Sequence, residues 1–432
     1  MTEVTMRKVT KILLKALSVT LLFLIFCPIV LTLLIDLPSV QNFLVDKATQ
    51  YLSQKTETKV EIDRIRLGAL GSLRVEGLYV EDYQQDTLLY IGKLKIYLSR
   101  FEGAKGITLR NGSVERGKLY IHETPEGVMN IKQVVNRMVK RREDKPKSEF
   151  ALKISDVQID DFTLVIEQRE HRDPSYGIDY RDMHLENMSA FVDDFTLIGG
   201  RVGGFIRNFT TREHSGFTID NCTGHFLVDK GVVDLRDFNI TAAESDIRLS
   251  SLVLEGENWA AYKDFIHNVT IRGEVVDSYV STNDIAHFAP AMLPWELEAH
   301  NANIAVNGTV ADLRVNVKNL DFGQNSNLRG NVRLRGLPNV RRATMSLDLS
   351  RLLTNQTDAS MVLEGITGRK ILPEKVLSMV DAAGEIICSG KFNGGFQSFE
   401  SDLLLTTEAG NLALTASREP VKQDAEEKSA TN

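Results

Sequence analysis

DTLLYIGKLKIYLS, residues 86–99, is the stretch whose reading decides the fold. Leu88, Tyr90, Leu94, Ile96 and Leu98 recur at even spacing, with Lys93, Lys95 and Tyr97 in the alternate positions. A period of two puts alternate side chains on opposite faces of an extended chain, so the stretch predicts a half-buried strand. EIDRIRLG (61–68), SLRVEGLYVED (72–82), GKLYIHE (117–123) and ALKISDVQIDDFTLVIE (151–167) follow the same rule. The expected product is a sheet with one apolar and one wet face.

Outward from this strand the pattern repeats. Steps of three, five and seven from Val114 reach Gly117, Leu119 and Ile121. The same steps from Ile159 reach Phe162, Leu164 and Ile166, and from Leu185 they reach Met188, Ala190 and Val192. Val75 begins a weaker copy through Leu78 and Val80 that breaks at Asp82. A step of three interrupts the alternation and predicts a bulge or tight turn inside each unit. A second signature, Gly-x-apolar-x-Gly-x4-Phe, occurs in GGRVGGFIRNF (Gly200, Val202, Gly204, Phe209) and in SGKFNGGFQSF (Gly390, Phe392, Gly394, Phe399). The spacing between copies is uneven, which excludes a regular propeller and favours an elongated sheet that lengthens by strand pairs.

The N-terminus reads differently. A basic head, residues 1–11, precedes an apolar segment over 12–35, of which Ala16–Ile35 carries no charge. That is the length a bilayer core requires. No small-residue cleavage pair closes the run, and bulky Leu24, Ile25 and Phe26 before Cys27 exclude a lipoprotein site. The segment is read as a single transmembrane anchor, and Arg7, Lys8, Lys11 and Lys15 hold the N-terminus in the cytoplasm. Residues 36–55 predict an amphipathic helix, with Val40, Phe43, Leu44 and Leu52 on one face, that rests on the membrane or plugs the first domain. A β domain follows over 56–139, then a charged linker at 140–149, a repeated β segment over 150–416 and a polar, disordered tail at 417–432. Two short helices interrupt the strands. NIKQVVNRMVKRRE carries Ile131, Val134, Val135 and Met138 on one stripe behind a capping Asn130, and LPEKVLSMVDAAG runs from Pro373 to Gly384.

Composition narrows the function. A net charge of −7 on 432 residues argues against a nucleic-acid partner. Cys222 and Cys388 read as separate buried thiols rather than a disulfide. The eight Asn-x-Ser/Thr sequons, Asn187 and Asn307 among them, read as asparagines at turns beside strand threonines. No nucleophile elbow, Walker loop or dinucleotide fingerprint is present. Gly199, Gly200, Gly203 and Gly204 lack the Lys-Ser/Thr and helix that a phosphate cradle needs. His122 and His184 are placed on wet strand faces, and the pairs Asp160-Asp161 and Asp193-Asp194 at turns or solvated edges. Nothing has metal-ligand spacing, so neither cofactor nor metal is expected and the chain is read as a non-enzyme.

The order of these parts resembles AsmA-like proteins. KVEIDRIRLGALGSLRVEGLYVED and QQDTLLYIGKLKIYLS, followed by RNGSVERGKLYIHETPEGVMNI, are similar to the N-terminal region of the TamB (translocation and assembly module) branch of Bacteroidetes type. Asp86, Thr87, Leu88 and Leu89, then Gly127, Asn130 and Ile131, fall at that branch's positions, and RGLPN and SGKFNGGFQSFESDLLLTTEAG look like its repeats. The resemblance implies a mainly β fold: an elongated, curled antiparallel β-sheet groove with few short helices and one N-terminal transmembrane helix. It implies an inner-membrane protein with its bulk in the periplasm that carries phospholipid toward the outer membrane, or an assembly scaffold that captures strands by β-augmentation. Leu88, Tyr90, Leu94, Ile96, Leu98, Leu119, Ile121, Phe162, Leu164 and Ile166 are the candidates for contact with acyl chains. The expected partners are the inner membrane through residues 12–35, phospholipid acyl chains, and an outer-membrane barrel protein or a C-terminal continuation. TamB proteins are much longer, so a shortened or split form is the corresponding expectation.

Overall fold

A computed structural model describes residues 37–68, 71–103, 105–140, 150–169, 176–295, 297–339, 342–367, 370, 374–382, 384–395 and 397–419. The anchor expected over 12–35 lies outside these residues, as do nearly all of the 140–149 linker and the tail beyond 419. Among the described residues no helix is long and apolar enough to cross a membrane. Strand dominates, and the chain divides into two compact units. The first takes residues up to 173, 179–199 and 211–214; the second takes 174–178, 200–210 and the chain from 215 onward.

The first unit opens with helix α1 (Pro38–Thr56). Pro38 suits the first helical turn, where its missing N–H costs no bond, and Glu57 ends the helix in a left-handed conformation with φ 57°. Strands β1 (Val60–Glu61) and β2 (Arg64–Gly68) both pair with β3 (Ser72–Glu81). β3 pairs with β4 (Thr87–Phe101), and β4 with β5 (Gly106–His122), all antiparallel. Helix α2 (Asn130–Lys140) starts at Asn130, whose Oδ1 accepts the Ile131 amide at 2.7 Å. Its Val134 is buried, whereas Val135 from the expected apolar stripe is exposed.

Beyond the linker, β6 (Ala151–Glu167) pairs with β5 in parallel, from Gly106 opposite Ala151 to His122 opposite Glu167. This departs from the all-antiparallel expectation. Parallel neighbours need a crossover rather than a hairpin, and the chain from His122 through α2 and the linker provides it. The compact unit therefore runs past residues 140–149. β7 (Asp182–Ile198) returns antiparallel to β6.

The steps of three seen in the sequence are left-handed residues inside strands. Gly77, Arg116, Asp161 and Asn187 have φ of 64°, 56°, 54° and 51°, each two residues after the apolar position that starts a copy. They lie in register across the sheet, since Gly77 falls between the pairs Glu76–Lys93 and Leu78–Ile91, and Arg116 and Asp161 follow the pair Glu115–Asp160. Leu73, Val75 and Leu78 all belong to one core cluster, which shows that the crease keeps the apolar side on one face although the step is three. Asp161 and Asp194 (φ 50°) thus sit within strands in αL, not at the turns or edges expected of them. Aspartate and asparagine tolerate this region best after glycine.

The second unit begins with residues 201–210 of β8 (Arg201–Glu213) and continues through β9 (Thr218–Asp229), β10 (Val232–Ala242) and β11 (Asp246–Glu255). A 3-10 turn at Trp259–Asp264 and the single turn α3 (Phe265–Asn268) precede β12 (Thr270–Ser281) and α4 (Thr282–Phe288). Then come β13 (Glu298–Thr309), β14 (Asp312–Phe322), β15 (Ser326–Arg335) and β16 (Thr344–Thr354). Helices α5 (Gln356–Thr367) and α6 (Glu374–Ala382) separate β16 from β17 (Ile386–Gly394), β18 (Phe399–Thr407) and β19 (Gly410–Arg418). From β9 to β19 each strand is antiparallel to the next. Among the described residues β19 pairs with β18 alone, so the sheet does not close.

Left-handed breaks recur here at Asp237 (φ 52°), Asp277 (φ 41°) and Asn301 (φ 47°). The glycine signature is not a structural repeat. Its first copy runs along β8, and its second turns from β17 into β18, where Phe392 and Phe399 stack at 5.7 Å.

Candidate functional site

Residues directly opposite each other on neighbouring strands project to the same face, so the register traces the apolar surface. In the first unit Leu94 lies opposite Val75 and packs on the cluster of Ile62, Ile65 and Val75 beneath α1. Ile96 and Leu98 continue that face along β4. Ile91, opposite Leu78, and Leu89, opposite Leu119, carry it past the crease. The parallel ladder then adds Leu119–Leu164, Ile121–Ile166 and Gly117–Phe162. Of the ten candidates, Leu94, Ile96, Leu98, Leu119, Ile121, Phe162, Leu164 and Ile166 share one face. Leu88 and Tyr90 do not: they alternate with Leu89 and Ile91 and project from the opposite side, Leu88 buried and Tyr90 exposed. The period of two in residues 86–99 is broken at Gly92, which sits against Arg116 in the crease.

The second unit carries a wider apolar surface. One cross-strand row runs Leu252, Gly273, Val306, Val315, Val332, Leu347 and Phe392 from β11 to β17. A second runs Leu254, Ile271, Gly308, Leu313, Leu334 and Met345. A third links Ile304, Val317, Gly330, Leu349, Gly390 and Leu403 to Leu414 on the open edge. Val317 and Leu349 are buried, but most of these side chains are only half-buried. The sequence reading missed these rows because glycines occupy several of their positions and hide the alternation.

The opposite face of the second unit is polar. It carries a concavity of about 770 Å³ whose lining includes Arg272, Arg314, Arg333, Lys391, Glu274 and Asp348. Arg333 is tied to Asp312 at 2.5 Å, and Arg272 to Glu255. Elsewhere on β12 to β15, side-chain amides bridge neighbouring strands. Asn301 donates to Asp321 at 2.9 Å, Asn303 to Asp277 at 2.9 Å, and Asn327 to Asn319 at 3.0 Å. Asn187 and Asn307 of the sequons are strand residues, not turn residues.

Several titratable groups among the described residues take part in local structure. In the first unit buried Asp82 accepts the amides of Gln84 and Asp86 at 2.9 and 3.0 Å and the Asn130 amide group at 3.0 Å, and faces His122 at 3.4 Å. His122 therefore belongs to a buried polar knot that pins α2 to β5, not to a wet face. Asp86 brings a third possible ligand near Asp82 and His122, but the bonds to Asp82 already account for its burial. His184 contacts Asp182 at 2.9 Å and the His214 ring, and remains partly exposed. Tyr120 donates to Glu167, and burial together with that carboxylate pushes its hydroxyl well above the usual tyrosine range. Cys222 and Cys388 are free and buried, as expected; burial raises the Cys222 thiol to about 11 and moves Cys388 in the same direction. The distinctive surface of the chain is thus apolar and extended. Compared with known proteins, the chain matches no family model, no curated protein and no solved structure.

Proposed function

We propose that the apolar strand faces take up phospholipid acyl chains, and that the protein is a non-enzymatic lipid handler held at the inner membrane by residues 12–35, with its bulk in the periplasm. The observation that carries this reading is the set of three apolar rows lying across β11 to β19, most of their side chains half-buried. Contiguous apolar surface of more than a few hundred Å² marks interaction or ligand sites in soluble domains. A row of Leu, Ile and Val with interspersed glycines offers methyl contacts without fixed polar partners. Such a surface accepts chains of varied length, and each methylene removed from water contributes about 0.8 kcal/mol. The resemblance to TamB proteins points the same way and supplies the direction, toward the outer membrane.

Native mass spectrometry of the full chain extracted from bacterial membranes tests this. Several co-purifying phospholipids are expected. Val315→Asp with Leu347→Asp is expected to lose them while circular dichroism stays unchanged, and Arg314→Ala on the polar face to keep them. A folded wild-type protein free of lipid would sink the proposal.

A second reading is supported by β19. All nine of its residues are exposed, among the described residues it pairs on one side only, and it carries no lysine, proline or bulge of the kind that protects natural edges. A scaffold that captures a strand by β-augmentation needs such an edge. Ala413→Lys with Thr415→Lys, which project away from the apolar row that ends at Leu414, abolishes capture of an unfolded barrel strand under this reading and leaves lipid content unchanged.

A further inference from the structure

We infer that the outward stripe of α1 rests on the surface of an anionic phospholipid bilayer. The helix settles one expectation directly, since Leu44, Val45, Ala48 and Leu52 pack into the Ile62–Ile65–Val75 cluster and plug the first unit. Phe43, expected on that inner face, is instead 58% exposed, and Tyr51 is 60% exposed. Phe43, Lys47, Tyr51 and Lys55 follow one another at four-residue steps, so they form one slowly winding stripe beside the buried face. Lys47 Nζ stands 5.8 Å from the Phe43 ring, and Lys55 Nζ 5.7 Å from the Tyr51 ring. Asp46, also exposed, lies three positions after Phe43 and so flanks the stripe, whose last member Lys55 is half-buried.

A helix whose apolar face is already spent on its own core gains nothing from two more rings in water. Aromatic rings interleaved with lysines match the headgroup layer, where rings sit at the polar–apolar boundary and lysines meet lipid phosphates. The sequence before the helix identifies this occupant over a protein partner. The uncharged run Ala16–Ile35 ends three positions before Pro38, so a span there delivers the first turn of α1 to the headgroup layer. The inference rests on the anchor reading of residues 12–35.

The test uses the full chain in phosphatidylcholine vesicles with and without phosphatidylglycerol. A benzophenone amino acid is placed singly at Phe43, at Tyr51 and, as an exposed control, at Trp259. Flotation after carbonate washing reads the anchor, and mass spectrometry after irradiation reads the neighbours of each probe. The expected result is a carbonate-resistant chain with lipid adducts at 43 and 51 several-fold above those at 259. Lys47→Glu with Lys55→Glu is expected to cut the adducts at 51 only where phosphatidylglycerol is present. A chain that floats but gives no excess lipid adduct at 43 and 51, or gives protein adducts there, overturns the surface contact and leaves the anchor standing. A chain that washes off overturns both.

Discussion

Asp358 shows how one side chain can organise its surroundings. It lies in the first turn of α5, fully buried, and accepts the backbone amides of Gln324 and Asn325, the Ser326 hydroxyl at 2.7 Å and the Asn355 amide group at 3.0 Å. Burial pushes its carboxyl upward, but the bonds from Gln324, Ser326, Asn325 and Asn355 outweigh this and hold it below the usual range. A carboxyl depressed in the folded state contributes stability above its unfolded pKa of about 3.9, and that contribution is lost as pH falls through the folded value. Asp358→Ala orphans several buried donors and is expected to cost roughly 2–4 kcal/mol in denaturant melts at pH 7. Asp358→Asn removes the titration, so the gap between it and the wild type should narrow below about pH 4. A gap that stays constant with pH would refute this account. The creased positions make a second residue-scale case. Asp161→Ile is expected to destabilise by about 1–2 kcal/mol, because a β-branched residue resists αL, while Asp161→Gly stays close to the wild type. Cys222 and Cys388 should resist iodoacetamide at pH 8 in the native protein and react in denaturant.

At the scale of elements, two arrangements recur that the sequence half disclosed. Phe162 follows left-handed Asp161 and covers Gly117 on the next strand; Phe238 follows left-handed Asp237 and covers Gly224. A Cβ on either glycine would come within 2.2 Å of the ring, so Gly117→Val is expected to cost more than about 2 kcal/mol and to unfold the first unit at a lower temperature. An Asp-Phe pair beside a strand glycine was therefore a readable signal. The three-residue step was visible wherever the flanking residues were large, as at Ile159 and Phe162. It was invisible where Ser278 or Ala302 took the inner position. The helix at Asn130 was legible from its cap and apolar spacing. Thr282–Phe288 and Gln356–Thr367 were not, because their inward residues include Asp284 and Asp358, which reach into polar knots rather than an oily core. The two faces of residues 86–99 could not be told apart by alternation alone. The shift occurs at Gly92, where only the neighbouring Arg116 reveals the crease.

For the whole molecule, what the sequence made plain was the kind of surface, not its location. The strands of the first unit were evident, yet the broadest apolar rows lie in the second unit on strands broken by Gly273, Gly330 and Gly390. If those rows hold acyl chains, delipidation should lower the melting temperature of the wild type more than that of Val315→Asp/Leu347→Asp, since a ligand stabilises only the state that binds it. Equal shifts would place any bound lipid elsewhere.

The parallel pairing of β5 with β6 also sets the order of events by which the chain acquires its structure. The antiparallel neighbours joined by short turns need only meet a partner a few positions away. The parallel ladder must instead bring Gly106 to Ala151 across the whole crossover. Longer closure loses more chain entropy before any contact rewards it. Hairpins should therefore assemble early, even as the chain leaves the ribosome, and this seam should be the late, rate-setting event. Shortening the crossover would then speed refolding of the first unit while leaving the hairpin β18–β19 untouched.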